Sequence, residues 1–222
     1  MKKVMFMVLL FAALTAQAQG NEERETINVE AAAGYNWLTN SNITPFGIHY
    51  RDNYKGGFSG SVSVNYLFAD DWGVGIHYSA LGTEGNFDLD ASNKVSENID
   101  VNYIAPQIRL VDARRGRWGY AASLGVGYLW YKNNGWMNET DYEVTAHACG
   151  VHGSILVSYR VMPHMDVFAN LNSFDALKMK DVECTAQGGT QIIPLNQTDP
   201  YKLKFRSVGV QLGVRAYSKE KA

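Results

Sequence analysis

His77-Tyr78-Ser79 places a histidine and a serine two residues apart, on one face if the segment is a strand. Such a pair could run nucleophilic acyl chemistry. The imidazole would take the hydroxyl proton, and a carboxylate would have to hold the ring in place. The neighbours argue for a plainer role. Ile76 and Tyr78 form the apolar phase of this segment, so His77 and Ser79 share the polar phase with Gly73 and Gly75. A histidine hydrogen-bonded to small polar neighbours inside the protein is the expected state, with no catalytic residue assigned.

The other candidates for chemistry are few. Five histidines raise the question of a metal. His147 and His152 fall on opposite faces of one strand, and His49 and His164 belong to opposite ends of the fold. No pair has the spacing or the supporting carboxylate that a site needs, so no metal or other cofactor is expected. Cys149 and Cys184 are the only two cysteines. An exported chain could join them, stapling a long loop to the wall, or leave two free thiols; spacing alone leaves both open.

The elements that position these residues are strands. From Trp118 every second residue is apolar: Trp118, Tyr120, Ala122, Leu124, Val126, Tyr128 and Trp130. The intervening phase is Gly119, Ala121, Ser123, Gly125 and Gly127. Period-two alternation predicts a strand with one apolar face. Aromatic rings at both ends of that face, with aliphatic groups between, suit a strand crossing a bilayer. Similar segments are predicted at about 27–38, 57–68, 72–81, 96–110, 142–161, 165–174 and 201–217, the seventh being the least regular. In the fourth, Ile99, Val101 and Tyr103 hold one phase while Ile104, Ile108 and Leu110 hold the other. That switch, next to Pro106, predicts a bulge there. Connections after the even strands read as short, including a basic one at 112–117. Those after the odd strands read as long, the last running over 175–200. The expected fold is all-β, an eight-stranded antiparallel up-and-down transmembrane β-barrel.

A secreted soluble barrel with an apolar interior is the rival, because alternation does not say which face is inside. The non-apolar phase decides between them. Ser59, Ser61, Ser63 and Asn65 in the second strand are too small and too uncharged for a water-facing wall, and fit a narrow packed lumen. The mean hydropathy of −0.22 does not contradict a membrane, since each lipid-facing residue is diluted by an inward polar one.

The ends and the charge bound the rest. Lys2 and Lys3, the apolar run 4–14 and Ala16-Gln17-Ala18 predict a secretory signal peptide over residues 1–18. The run is short of the roughly 20 residues of a spanning helix. Residues 19–222 are then a single outer-membrane barrel domain, with no attached peptidoglycan-binding domain expected after Tyr217. A formal net charge of −2 without a basic run gives no reason to expect nucleic acid.

Two segments carry a family resemblance. Asn102-Tyr-Ile-Ala-Pro-Gln-Ile-Arg-Leu110 looks like a family strand with proline between aliphatics, and Ser207-Val-Gly209-Val-Gln-Leu212-Gly-Val214 looks like the closing signal read by the barrel assembly machinery. The whole mature chain resembles the OmpA-like, porin-like eight-stranded outer-membrane barrels of the outer membrane protein beta-barrel domain family. Tyr217 is followed by Ser-Lys-Glu-Lys-Ala, where that signal usually ends on an aromatic. The resemblance implies the bacterial outer membrane, both termini periplasmic, outer-membrane lipid and lipopolysaccharide as surroundings, the assembly machinery as partner, and a monomer. It implies a structural or surface-recognition role through long extracellular loops, without catalysis and with an unidentified ligand. The alternatives are a lipid-modifying enzyme and a small diffusion pore. The lipid A deacylases use an outward His-x-Ser late in the chain, which His77 and Ser79 do not match. A wide pore is disfavoured because eight strands enclose a lumen that side chains fill. Glu30, Arg109, Arg160, Asp166 and Arg215 all fall near the periplasmic strand ends on the inward phase. They are expected to pair as a carboxylate–guanidinium cluster that closes the lumen.

Overall fold

A computed structural model describes residues 24–39, 54–68, 72–88, 94–138, 140–177, 179–186, 188–193 and 205–220. The signal segment expected at 1–18 and His49 lie outside them. Among the described residues are ten strands: β1 (Arg24–Leu38), β2 (Gly56–Leu67), β3 (Gly73–Asp88), β4 (Lys94–Arg115), β5 (Trp118–Met137), β6 (Thr140–Met162), β7 (Met165–Ala176), β8 (Lys180–Ala186), β9 (Gly189–Ile193) and β10 (Arg206–Glu220). Eight of them close a ring of antiparallel neighbours in the order β1–β2–β3–β4–β5–β6–β7–β10, with β10 returning to β1. The fold is the expected eight-stranded up-and-down barrel. The two strands outside the ring, β8 and β9, form a hairpin that pairs with the far half of β6, beyond the reach of β7.

One end of the barrel has tight turns and is called here the turn end. Gly116 and Arg117 join β4 to β5, with Gly116 at φ +62°, where a side chain would be strained. The opposite end was expected to carry long loops after the third and fifth strands. It carries strands instead. β3 and β4 stay paired as far as Asp88 and Lys94, and β5 and β6 as far as Met137 and Thr140. Asn86 and Asn134, which read as loop residues, are strand residues. The 175–200 connection holds β8 and β9.

The outer surface explains the aromatic placement. Tyr66, Phe68, Trp72 and Trp118 are exposed towards the turn end; Trp37, Phe58, Tyr78 and Tyr128 are exposed in the other girdle. Between them Val64, Ile76, Leu124, Val126 and Leu212 face outwards. From Trp118 to Tyr128 is ten residues, and ten tilted residues span roughly 25 Å, the height of a bilayer's apolar band.

Beyond the second girdle the two faces exchange character. Ile99, Val101, Tyr103, Leu129, Tyr131, Phe174, Met179, Val182 and Phe205 point inwards into one buried apolar core, while Asp100, Lys132 and Asn134 point out. The apparent phase switch of β4 is therefore no bulge. β3 and β4 pair without interruption past Pro106, and inward residues stay odd-numbered from Glu97 to Arg109. The strand leaves the bilayer near Tyr103, so water replaces lipid outside and the apolar phase moves inside. β7 is also regular. Phe168 and Phe174 hid its alternation because they face inwards.

Candidate functional site

The described lumen is filled in three layers. At the turn end, arginines and carboxylates meet. Glu30 pairs with Arg109, whose other nitrogen donates to Ser123 Oγ at 3.0 Å. Arg215 reaches Glu25 at 2.8 Å and lies 3.8 Å from Glu30. Arg114 bridges Glu25 at 2.6 Å and Asp166 at 2.7 Å. Ser158 and Tyr217 also donate to Asp166, at 3.1 and 3.2 Å. Three guanidiniums thus face three carboxylates, and Arg109, Arg215 and Asp166 are fully buried or nearly so. Balanced charge, with more than one hydrogen bond on both Glu25 and Asp166, is what makes such a desolvated cluster tolerable.

Four of the five expected charges, Glu30, Arg109, Asp166 and Arg215, come together here. Arg160 does not form one of these ion pairs: its Nε donates to Tyr217 Oη at 3.0 Å, one hydrogen bond removed from Asp166. Two members, Glu25 and Arg114, were not legible in the alternation, because a bulge separates each from the regular part of its strand. Register shifts between Arg109 and Val111 against β5, and between Glu25 and Asn28 against β10. One extra residue turns every side chain beyond it to the other face. The expected bulge at Pro106 is absent; a different one, between Arg109 and Val111, delivers Arg114 to the lumen.

Above the ions lies a layer of neutral polar groups. Asn65 donates to Asn28 at 2.8 Å, Gln107 to Asn65 at 2.6 Å, and His152 Nε2 lies 3.0 Å from Gln107 Oε1. His77 Nδ1 is 2.9 Å from Ser63 Oγ, and its ring stacks on His152 with centroids 4.3 Å apart. Gly125 makes room for this, since a Cβ there would sit 2.3 Å from His152 Cε1. A second His-x-Ser, His152-Gly153-Ser154, thus meets the first, a proximity the sequence spacing did not indicate. Ser79 and Ser154 line a cavity of about 40 Å³ beside the stack, room for no more than a few waters. The nitrogen of His77 that faces Ser63 is engaged there, and the lumen carboxylates named above are held by arginines at the turn end. On the opposite wall Asn36 donates to Asn172 at 2.8 Å, and Ser59 to Asn36 at 2.7 Å.

The third layer is the apolar core beyond the second girdle, continued by β8 through Val182. Cys149 and Cys184 are free thiols. Cys184 is opposite Val144, five residues along β6 from Cys149, which places the two about 17 Å apart. A disulfide requires Cα atoms within about 7 Å. His147 faces outwards, stacked 5.6 Å from Tyr128, while His152 faces inwards. Among the described residues no group of three metal-ligating side chains is present.

This closed ring, belted outside and packed inside, agrees with a family model for the outer membrane protein beta-barrel domain that matches residues 6–215. The chain belongs to that family. No curated protein sequence matches it. Solved structures similar to it include a major outer membrane protein from Thermus thermophilus, 13% identical, covering 87% of this chain and 98% of that one with a TM-score of 0.59. OprG from Pseudomonas aeruginosa is 14% identical, covering 89% and 99%, with a TM-score of 0.51. Neisserial surface protein A is 17% identical, covering 86% and 97%, with a TM-score of 0.47. At these identities the likeness to the first two speaks for the fold alone. The family places the protein in the bacterial outer membrane and leaves its role to the site.

Proposed function

We propose that this protein is a non-enzymatic outer-membrane barrel that acts by surface recognition, through the strand-built extension beyond its second aromatic girdle. In this reading the extension stands outside the cell, and the turn end and both chain termini lie in the periplasm. Lipid and lipopolysaccharide surround the belt, the barrel assembly machinery inserts the chain, and the barrel works as a monomer. The observation that carries the reading is the layered lumen. An ion-paired layer at one end and an apolar core at the other leave little room for a diffusing solute, while the core makes the extension a rigid platform. Rigid scaffolds that present polar outer faces suit binding rather than transport. His77, engaged with Ser63 and His152, favours no acyl-transfer chemistry.

The test uses intact cells displaying the full barrel, compared with cells displaying a barrel whose β3–β4 and β5–β6 hairpins are cut back to the girdle. Binding to host-cell or matrix surfaces is expected for the first and not the second. Equal binding by both would refute the reading.

A further inference from the structure

The outer wall of the extension carries an aromatic side chain that the membrane does not explain. Trp136 is 42% exposed, and it stands six residues beyond Trp130 on β5. That places it about 15 Å past the girdle. Its neighbours across the sheet are Ser96 on β4 and Asp141 on β6. The next rung towards the membrane sets Asn98, Asn134, Glu143 and Thr185 side by side across four strands. These residues line a groove of about 500 Å³. Lys132 holds Glu143 at 2.6 Å, and Thr190 of β9 holds Thr185 at 2.9 Å, so two of the walls are fixed in place.

We infer that this groove binds a neutral or amino-bearing pyranose sugar of a glycan. The indole offers a flat apolar face for the C–H side of a sugar ring. The Asn98 and Asn134 amides each present a donor and an acceptor in one plane, and Asp141 accepts from hydroxyls. The same outer face carries Glu84, Asp88, Asp100, Asp141, Glu143 and Glu183 against Lys94 and Lys132. This excess of carboxylates repels sulfated and sialylated glycans and favours amino sugars, so charge supplies the discrimination. The inference rests on the recognition reading and names its ligand class.

The experiment is a glycan array probed with the full-length barrel in detergent micelles. It carries neutral, amino, sialylated and sulfated oligosaccharides, and lipopolysaccharide purified from the producing strain. Neutral or amino glycans should bind. Trp136→Ala should weaken binding roughly tenfold or more, as expected for truncating a central aromatic anchor. Trp136→Tyr should retain most of it, and heat-modifiable gel mobility should stay that of a folded barrel for both. The Asn98→Ala/Asn134→Ala double variant should also lose binding. Binding confined to the lipopolysaccharide supports the groove and identifies the source as the membrane's own saccharide; binding to the free oligosaccharides identifies an external glycan. A preference for sulfated or sialylated glycans, unchanged binding by Trp136→Ala, or no glycan bound at all each overturns the inference. If the hairpin-trimmed barrel loses cell binding while Trp136→Ala keeps it, the groove assignment falls and the recognition reading stands.

Discussion

Replacing Leu129 by Arg tests the exchange of faces along one strand. Leu129 is fully buried, packed inside the barrel beyond the second girdle. Removing it forfeits burial worth roughly 2 kcal/mol. The guanidinium then sits in an apolar core, desolvated, and an unpaired buried charge costs several kcal/mol more. The sum exceeds the roughly 2–4 kcal/mol expected for Leu124→Arg, which faces lipid near the bilayer midplane. Three residues along from Leu129, Lys132 is already a charge, on the outer face, and Asn134→Arg should change stability by less than about 0.5 kcal/mol. The assay is denaturant unfolding of the barrel in phospholipid vesicles, followed by tryptophan fluorescence. The expected order of cost is Leu129→Arg, then Leu124→Arg, then Asn134→Arg. A barrel with a polar interior throughout would accept Leu129→Arg as readily as Asn134→Arg, and that result would refute the apolar core of the extension.

Glu97 lies in the same extension, outside the membrane-spanning part of β4. It is buried, and burial raises its carboxyl above the ordinary range, partly offset by hydrogen bonds from Tyr142 and Asn133. A raised folded-state value means that its contribution to stability is full below the unfolded value and is lost as pH rises through the folded one. Glu97→Gln should therefore raise stability at pH 7 and flatten the pH dependence between acid and neutral, checked by unfolding at pH 4 and pH 7. In the turn-end cluster, Arg114→Ala leaves Asp166 buried beside Ser158 and Tyr217 and should cost roughly 3–5 kcal/mol, whereas Arg160→Ala, which loses only a hydrogen bond to Tyr217, should cost about 1 kcal/mol; equal losses in the same unfolding assay would contradict the assignment. Cysteines placed at Asn53, Asn86, Asn134 and Gln187 should react with a membrane-impermeant reagent on intact cells lacking the native cysteines, while those at Asp70 and Arg115 should not. Labelling at Asp70 would reverse the orientation.

The barrel was legible because its bilayer part obeys one simple rule, lipid-facing apolar residues alternating with small polar ones, as in Leu124 and Val126 against Ser123 and Gly125. The extension was not, because the rule inverts there. Val101 and Leu129 belong to the interior, so the alternation breaks at the membrane surface, and 82–88 and 131–137 read as loop although 96–103 reads as strand. The ion cluster was legible at Glu30, Arg109 and Arg215 from the alternation beside them, and at Asp166 only from its place next to the turn, because the inward phenylalanines of β7 hid the alternation there. It was hidden at Glu25 and Arg114, each beyond a bulge that carries no signature in composition. The His77–His152 stack was hidden for another reason. It joins β3 to β6 across the lumen, and nothing local in either segment encodes a contact between strands that are not neighbours.

Ion conductance of the wild-type barrel in planar bilayers bears most directly on a lumen closed at both levels. Silence, or rare brief openings, is the expected record, with Arg114→Ala increasing openings only modestly because the apolar core remains. A large, steady conductance from the wild-type protein would contradict the closed lumen and, with it, the preference for recognition over transport.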